Sequence, residues 1–223
     1  MEVIKGDGFL KSEKQISITA DGQERVFESD KIILATGSKP SSLPFLEPNR
    51  SEVVTSQEAL EFENVPKTML VIGAGAIGLE IGTIYRRLGS DVSVLEIMPT
   101  ILPGSDRETV LRLERILKTQ GLKTFTEMRI EQCRIEKDNV IVEGNCLKTQ
   151  TPFRFEAEKV LLAAGRKPNL EIRPGSLSPD FDKTGFIRVN SRLETNIPGV
   201  YAIGDVIGGK LLAHKASHEG ILA

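Results

Sequence analysis

Short apolar runs, each closed by glycine or proline, outline this chain. Polar and apolar residues alternate from Gln15 to Ile18, break at Asp21-Gly22 and resume from Arg25 to Phe27, which predicts a β-hairpin. The run Lys31-Ile32-Ile33-Leu34-Ala35 stops at Thr36-Gly37-Ser38-Lys39-Pro40, as a buried strand ending in a glycine turn would. Proline and serine are frequent from Pro40 to Pro48, a predicted linker. Met69-Leu70-Val71-Ile72 then runs into a glycine cluster, Gly73 to Gly78, where the spacing turns helical. Ile77, Ile81, Ile84 and Leu88 form the predicted buried stripe, and Gly89 is placed to end the helix.

Asp91 to Glu96 reads as the next strand. Ser105-Asp106-Arg107-Glu108 has the form of a capping box, followed by a helical stripe at Val110, Leu113 and Leu117 that Gly121 closes. Strand, helix, strand, helix predicts a parallel sheet covered on both sides. Shorter strands follow at Met128 to Ile135, Val140 to Val142 and Phe153 to Phe155, with a turn at Lys137-Asp138-Asn139, before the apolar run Val160 to Ala164. A loop rich in proline and glycine spans Arg166 to Pro179. Strand-like stretches at Gly185 to Val189 and Val200 to Ile203, a Gly204-Asp205 turn and a helix from Leu212 complete the outline.

Charge narrows the function classes. Lysine plus arginine (29) nearly balances aspartate plus glutamate (31), and no basic block occurs. Neither nucleic acid nor a membrane is expected as a partner. The start, Met1 to Gly6, lacks the basic-then-apolar form of a leader, so a cytoplasmic location is expected. Cys133 and Cys146 are too far apart for a CxxC pair, and no metal site is expected.

Gly73-Ala74-Gly75-Ala76-Ile77-Gly78 is a GxGxxG between a strand and a helix. In a dinucleotide site the first glycine permits the turn, the second lets a pyrophosphate approach and the third packs helix on sheet, with the phosphates at the helix N-terminus. A glycine-rich turn that binds nothing is the competing reading. Glu96 ends the next strand at about the 20-residue offset of an acid that bonds a ribose 2′-hydroxyl, and a carboxylate there would repel a 2′-phosphate. The expected cofactor is NAD rather than NADP.

Further motifs resemble those of the dihydrolipoamide dehydrogenase family, among the class I pyridine nucleotide-disulfide oxidoreductases. Ala35-Thr36-Gly37-Ser38-Lys39-Pro40 resembles the ATGS turn ahead of the NAD domain, and Ala164-Gly165-Arg166-Lys167-Pro168-Asn169 resembles the G-R-x-P-N turn. Thr195 to Val206 resembles the second flavin signature, and Leu212-Ala213-His214-Lys215-Ala216 the LAHKA helix start. The resemblance implies an α/β fold in which a Rossmann-like NAD-binding domain, of the three-layer ββα kind, is inserted in a partial FAD-binding domain. Expected bounds are 1–61 and 184–223 for the FAD part and 62–183 for the NAD part.

The same resemblance implies site residues. Gly8, Thr36, Gly37, Ser38, Asp205, Leu211, Leu212, Ala213 and His214 match positions bordering FAD. Gly73, Ala74, Gly75, Ala76, Ile77, Gly78, Leu79, Glu80, Glu96, Ile130 and Gly165 match positions bordering NAD. Glu80 matches an acid that pairs with a lysine near the flavin, or else only complements the helix dipole, and both readings stand. His218 is expected simply to be exposed.

The family's first GxGxxG, its C-x-x-x-x-C redox helix and its H-x-x-x-x-E acid-base motif are not found in these 223 residues. The expectation is therefore a central fragment with no catalytic residue, whose homodimeric parent passes electrons from dihydrolipoamide, carried on the lipoyl domain of a 2-oxoacid dehydrogenase complex, through a disulfide and FAD to NAD. Mercuric reductase, NADH oxidase and transhydrogenase types, and a non-catalytic NAD-binding module, are the alternatives.

Overall fold

The computed structural model describes residues 2–49, 51–137, 139–170 and 177–223. Contacts divide the chain into two compact units, Met1–Lys39 with Arg166–Ala223, and Pro40–Gly165. The second is inserted in the sequence of the first. These divisions differ from the expected 61/62 and 183/184, because the stretch after Lys39 supplies an edge strand to the inserted unit and the chain leaves that unit directly after its last parallel strand.

In chain order the strands and helices begin with β1 (Asp7–Ser12), β2 (Gln15–Ala20), β3 (Gln23–Glu28), β4 (Ile32–Leu34) and β5 (Ser38–Pro40). Next come β6 (Val53–Val54), α1 (Ser56–Ala59), β7 (Thr68–Ile72), α2 (Ala76–Arg87), β8 (Asp91–Leu95), α3 (Arg107–Thr119) and β9 (Lys123–Phe125). The chain continues through β10 (Met128–Glu136), β11 (Asn139–Cys146), β12 (Pro152–Ala157), β13 (Lys159–Leu162), β14 (Arg166–Pro168), β15 (Val200–Ala202), a 3-10 turn at Gly204–Ile207 and α4 (Ala213–Leu222).

In the first unit β1, β2 and β3 form an antiparallel meander. The predicted hairpin is β2–β3, and its turn places Asp21 (φ 49°) and Gly22 (φ 75°) in the left-handed region that matches strand twist. β4 and β15 pair in parallel, Val200 opposite Ile32, and Ile32 and Val200 pack with Leu10 and Ile197. The expected strand at Gly185 to Val189 is only an isolated bridge, Phe181 to Ile187. Asp182 Oδ1 accepts the backbone N–H groups of Thr184 at 2.8 Å and Phe186 at 3.0 Å, which curls the chain out of strand geometry.

The inserted unit has three layers. Its middle is a parallel sheet in the order β6-β13-β7-β8-β9, with an antiparallel β10-β11-β12 sheet beside it. Alternation along β7 assigns the two faces: Met69 and Val71 pack toward Leu79, Ile81 and Tyr85 of α2 and Val110 and Leu117 of α3, whereas Leu70 and Ile72 pack toward Val140 and Val142 of β11. Helices therefore cover one face and strands the other. The Pro40 to Pro48 stretch is not a plain linker, since Leu46 is buried and Leu43 bridges to Leu46. The ends of this unit meet, the Ser41 N–H donating to Gly165 O at 3.0 Å. Asp138 of the predicted turn and 171–176 of the predicted loop lie outside the described residues.

Two helix details depart from expectation. The cap of α3 is Asp106, whose carboxylate accepts the Thr109 N–H at 2.9 Å, not Ser105. That bond holds the Asp106 carboxyl below the usual range. In α2, Ile84 and Leu88 are 45% and 58% exposed, and the buried face is Gly78, Leu79, Ile81, Gly82 and Tyr85. Two glycines on that face bring α2 close to the sheet.

These two glycines are not equivalent. A Cβ at Gly78 would lie 2.0 Å from Gly73 O, whereas one at Gly82 would make ordinary contacts, the nearest 3.5 Å away on Val71. In urea denaturation Gly78→Ala should lose about 3 kcal/mol or more, while Gly82→Ala should be neutral or stabilising by up to about 1 kcal/mol from helix propensity. Equal effects would show that α2 does not sit where described.

Candidate functional site

The glycine loop joins β7 to α2 in the inserted unit. Gly73 has φ 104°, and a Cβ there would lie 2.4 Å from Ala163 O, so neither backbone strain nor space admits a side chain. Gly78 is required by the approach of α2 to Gly73. Gly75 differs: it has φ −74°, an ordinary value, and a Cβ on it would meet nothing within 4 Å. Its lack of a side chain serves no contact within the unit. Gly75 is also the N-cap of α2, where no side chain caps the helix and no acid sits in the first turn. Free N–H groups and the positive end of the helix dipole thus face open space beside Gly75.

Glu96 follows the last residue of β8 and is 8% exposed. Its Oε2 accepts the Ala74 N–H at 2.7 Å, and its Oε1 accepts the Met98 N–H at 2.9 Å. Each carboxylate oxygen has a second acceptor direction, which leaves capacity for a sugar hydroxyl. Glu96 also lines a cavity of about 510 Å³ beside the glycine loop. Ile72, Leu95, Met128 and Ile130 supply an apolar lining, Phe45, Ile97, Met98 and Pro103 extend it, and Gly73, Gly75 and Gly165 contribute backbone. A mostly apolar cavity with a few aimed polar groups suits a flat heterocycle joined to a sugar and phosphates.

Among the residues expected at this site, Gly73, Gly75, Glu96, Ile130 and Gly165 line the cavity. The Ala74 and Leu79 side chains do not; both are buried in the helix-side core, and Ile77 packs against it. Ala76 is exposed at the start of α2, and Gly78 is spent on packing. Glu80 is exposed beyond the first turn, where the helix dipole has little hold on it. Sequence reading missed Phe45, Met98, Pro103 and Met128. Pro103 and Met98 lie in the loop after β8, and the rule that ligands sit at the carboxyl ends of parallel strands would have pointed there; Phe45 carried no such signal.

In the first unit, Asp205 Oδ2 accepts a hydrogen bond from Ser38 Oγ at 2.6 Å. Arg166 fixes Ser38 twice, Nε donating to Oγ and Nη2 to the carbonyl oxygen, each at 2.7 Å. Asn169 holds the neighbouring turn, its N–H donating to Gly37 O at 2.9 Å and its Nδ2 to Thr36 O at 3.2 Å. The Gly204 N–H donates to Glu219 Oε2 at 2.8 Å, and Lys215 pairs with Glu219 Oε1 at 2.7 Å, so α4 is tied to the turn that carries Asp205. Leu212 is the N-cap of α4, without a side-chain bond, and Ala213 and His214 are exposed beside the half-buried Leu211. Gly8 lies in β1 opposite Ile18, with open space where a Cβ would stand. Arg166, known from the sequence only as part of the G-R-x-P-N turn, and Glu219 are supporting residues to which sequence reading gave no role.

Cys133 and Cys146 are half-buried free thiols against the strand-side core of the inserted unit. Burial pushes the Cys133 thiol up, whereas hydrogen bonds from the Thr149 side chain and the Thr149 and Lys148 N–H groups pull Cys146 down. Neither lines the cavity. Among the described residues no group of three or more His, Cys, Asp and Glu is suited to a metal, and no helix is long and apolar enough to cross a membrane.

Comparison with known proteins bears on this arrangement. A family model described as pyridine nucleotide-disulphide oxidoreductase matches residues 2–220. The chain belongs to that family. It is 39% identical over 225 residues to a dihydrolipoyl dehydrogenase of Thermus scotoductus, covering 100% of this chain and 48% of the relative. It is 40% identical over 222 residues to leghemoglobin reductase of Glycine max, covering 98% and 42%. The chain thus spans about half the length of the curated relatives it matches. Among solved structures, LpdA of Mycobacterium tuberculosis aligns with TM-score 0.88 at 26% identity, covering 99% of this chain and 49% of that one. The Cu(II) complex of the HOCl-induced flavoprotein disulfide reductase RclA from Escherichia coli aligns with TM-score 0.88 over 98% and 48%, a likeness of fold at 23% identity.

Among the described residues, the Ala74 and Met98 N–H groups have no acceptor other than the Glu96 carboxylate. Glu96→Ala should lower the unfolding free energy of the inserted unit in urea by about 2–4 kcal/mol, and Glu96→Gln, which keeps one carbonyl acceptor, by about half as much. An unchanged midpoint in both variants would show that the carboxylate does not hold the loop.

Proposed function

We propose that the inserted unit binds NAD and that the first unit supplies part of a flavin-binding surface for FAD, within a dihydrolipoyl dehydrogenase. In this reading residues 40–165 form the NAD-binding domain, and the flanking segments belong to the FAD-binding domain. The observation that carries it is Glu96, a buried carboxylate that bonds the glycine loop and faces the cavity at once. The residues fit the group: the space above Gly75 is open, the α2 N-terminus is uncapped, and the adjoining cavity is apolar. The uncapped N–H groups would receive the pyrophosphate, Glu96 the adenosine ribose hydroxyls, and the apolar wall the adenine.

In the first unit, Ser38 holds Asp205 Oδ2, and Oδ1 would be left to accept a ribityl hydroxyl of FAD. At the uncapped start of α4 the Leu212 N–H is bonded to Lys210 O, and the N–H groups of Ala213 and His214 would stabilise negative charge on a reduced flavin ring. NAD and FAD, when bound, supply the hydride and electron-sink chemistry. This chain's residues bind, orient and exclude water, and Cys133 and Cys146, packed against a core, take no part in a redox disulfide. The whole protein would act as a cytoplasmic homodimer, oxidising dihydrolipoamide presented by the lipoyl domain of a 2-oxoacid dehydrogenase complex.

Fluorescence titration tests the cofactor assignment. NADH should bind at least about tenfold more tightly than NADPH, whose 2′-phosphate would face the Glu96 carboxylate. Equal affinities would sink the role given to Glu96. Gly75→Asp places an N-cap acid on α2, so it should leave the unfolding free energy in urea unchanged or higher by a few tenths of a kcal/mol, yet remove NADH binding. Retained binding in that variant would mean that no phosphate sits on the helix.

A further inference from the structure

We propose that Leu102 is a positioning residue for the adenosine half of the dinucleotide, held in a strained backbone so that the loop after β8 grips the glycine loop; the inference rests on the cofactor reading. Leu102 is not a glycine, yet its φ is 43°, in the left-handed region, and Pro103 follows it. An L side chain is disfavoured in that region, and a following proline narrows the backbone choices of the residue before it still further. Such strain persists only where the surrounding structure over-determines it.

The surroundings of Leu102 do so. Ile101 is buried in the helix-side core, and the Leu102 side chain packs against the same core. Leu102 O accepts the Ser105 N–H at 3.1 Å, closing a turn with Pro103 at its second position and Gly104, φ 85°, at its third, the pattern of type II. The other end of the loop is fixed as well, since Met98 O accepts the Glu127 N–H at 3.1 Å and the Met98 N–H donates to Glu96. The bend secures one bond in particular: the Leu102 N–H donates to Ala74 O at 2.9 Å, while the Ala74 N–H donates to Glu96 Oε2 at 2.7 Å. The loop after β8 thus holds both backbone polar groups of one glycine-loop residue, and Pro103, next to the bend, lines the cavity. A backbone that relaxed at Leu102 would release Ala74 O and withdraw Pro103, so that binding would first have to re-form the site.

Leu102→Ala and Leu102→Gly both remove the packed side chain, so that loss is common to the two. They differ in that glycine enters the left-handed region freely and alanine does not. In fluorescence titration Leu102→Gly should therefore bind NADH about tenfold more tightly than Leu102→Ala, a difference of about 1.4 kcal/mol. ADP-ribose, measured by displacement of NADH, should show the same ratio, because it lacks only the nicotinamide. Leu102→Gly should also have the higher melting temperature, the reverse of the usual order of these two residues. A side chain that only fills space would give equal affinities or favour alanine, and either result, beside an unsubstituted chain that binds NADH, overturns this inference alone. So does a ratio that ADP-ribose does not share. An unsubstituted chain that does not bind NADH overturns the cofactor reading, and the role of Leu102 with it.

Discussion

The Glu96 carboxylate accepts the Ala74 N–H at 2.7 Å and the Met98 N–H at 2.9 Å, and through those bonds one buried side chain holds two loops in register. Ala74 belongs to the glycine loop after β7, and Met98 to the loop after β8. Without an acceptor at this point the buried Ala74 N–H would be left unpaired, at a cost of about 1–3 kcal/mol, while the half-buried Met98 N–H would turn to water. The fold therefore needs an acceptor at the point where the proposed dinucleotide reading puts a sugar ligand. In that reading a substitution aimed at cofactor preference would also act on the loop.

Packing around that point follows from the alternation of β7. Odd positions meet helices and even positions meet the antiparallel sheet, so both faces of a parallel strand are apolar for different reasons. Close approach of α2 sets the height of the glycine loop above the sheet, and Gly78 permits that approach. Gly73 lets the chain turn against Ala163 at the end of β13, and the cavity opens where the strand ends β7, β8 and β13 converge.

The elements legible in the sequence were those with a sustained period, the β2–β3 hairpin, the β7-α2-β8-α3 succession and the strands β10 to β12, or with an unbroken apolar run, as in β4, β13 and β15. β6, α1 and β9 escaped because none holds three consecutive apolar residues, and β1 because only Phe9 and Leu10 interrupt its polar residues. The α2 stripe was misread for another reason. Counting large apolar residues selects Ile84 and Leu88, which are exposed, and passes over Gly78 and Gly82, which do the burying. Glu96 was legible because its offset from the loop is a backbone distance. Its bonds to Ala74 and Met98 were not, because they depend on where its side chain points.

Residues 40–165 begin and end beside one another, with the Ser41 N–H bonded to Gly165 O. A stretch whose two ends touch can be excised as a cassette, joined head to tail or transplanted into a surface loop of another host without stretching its backbone.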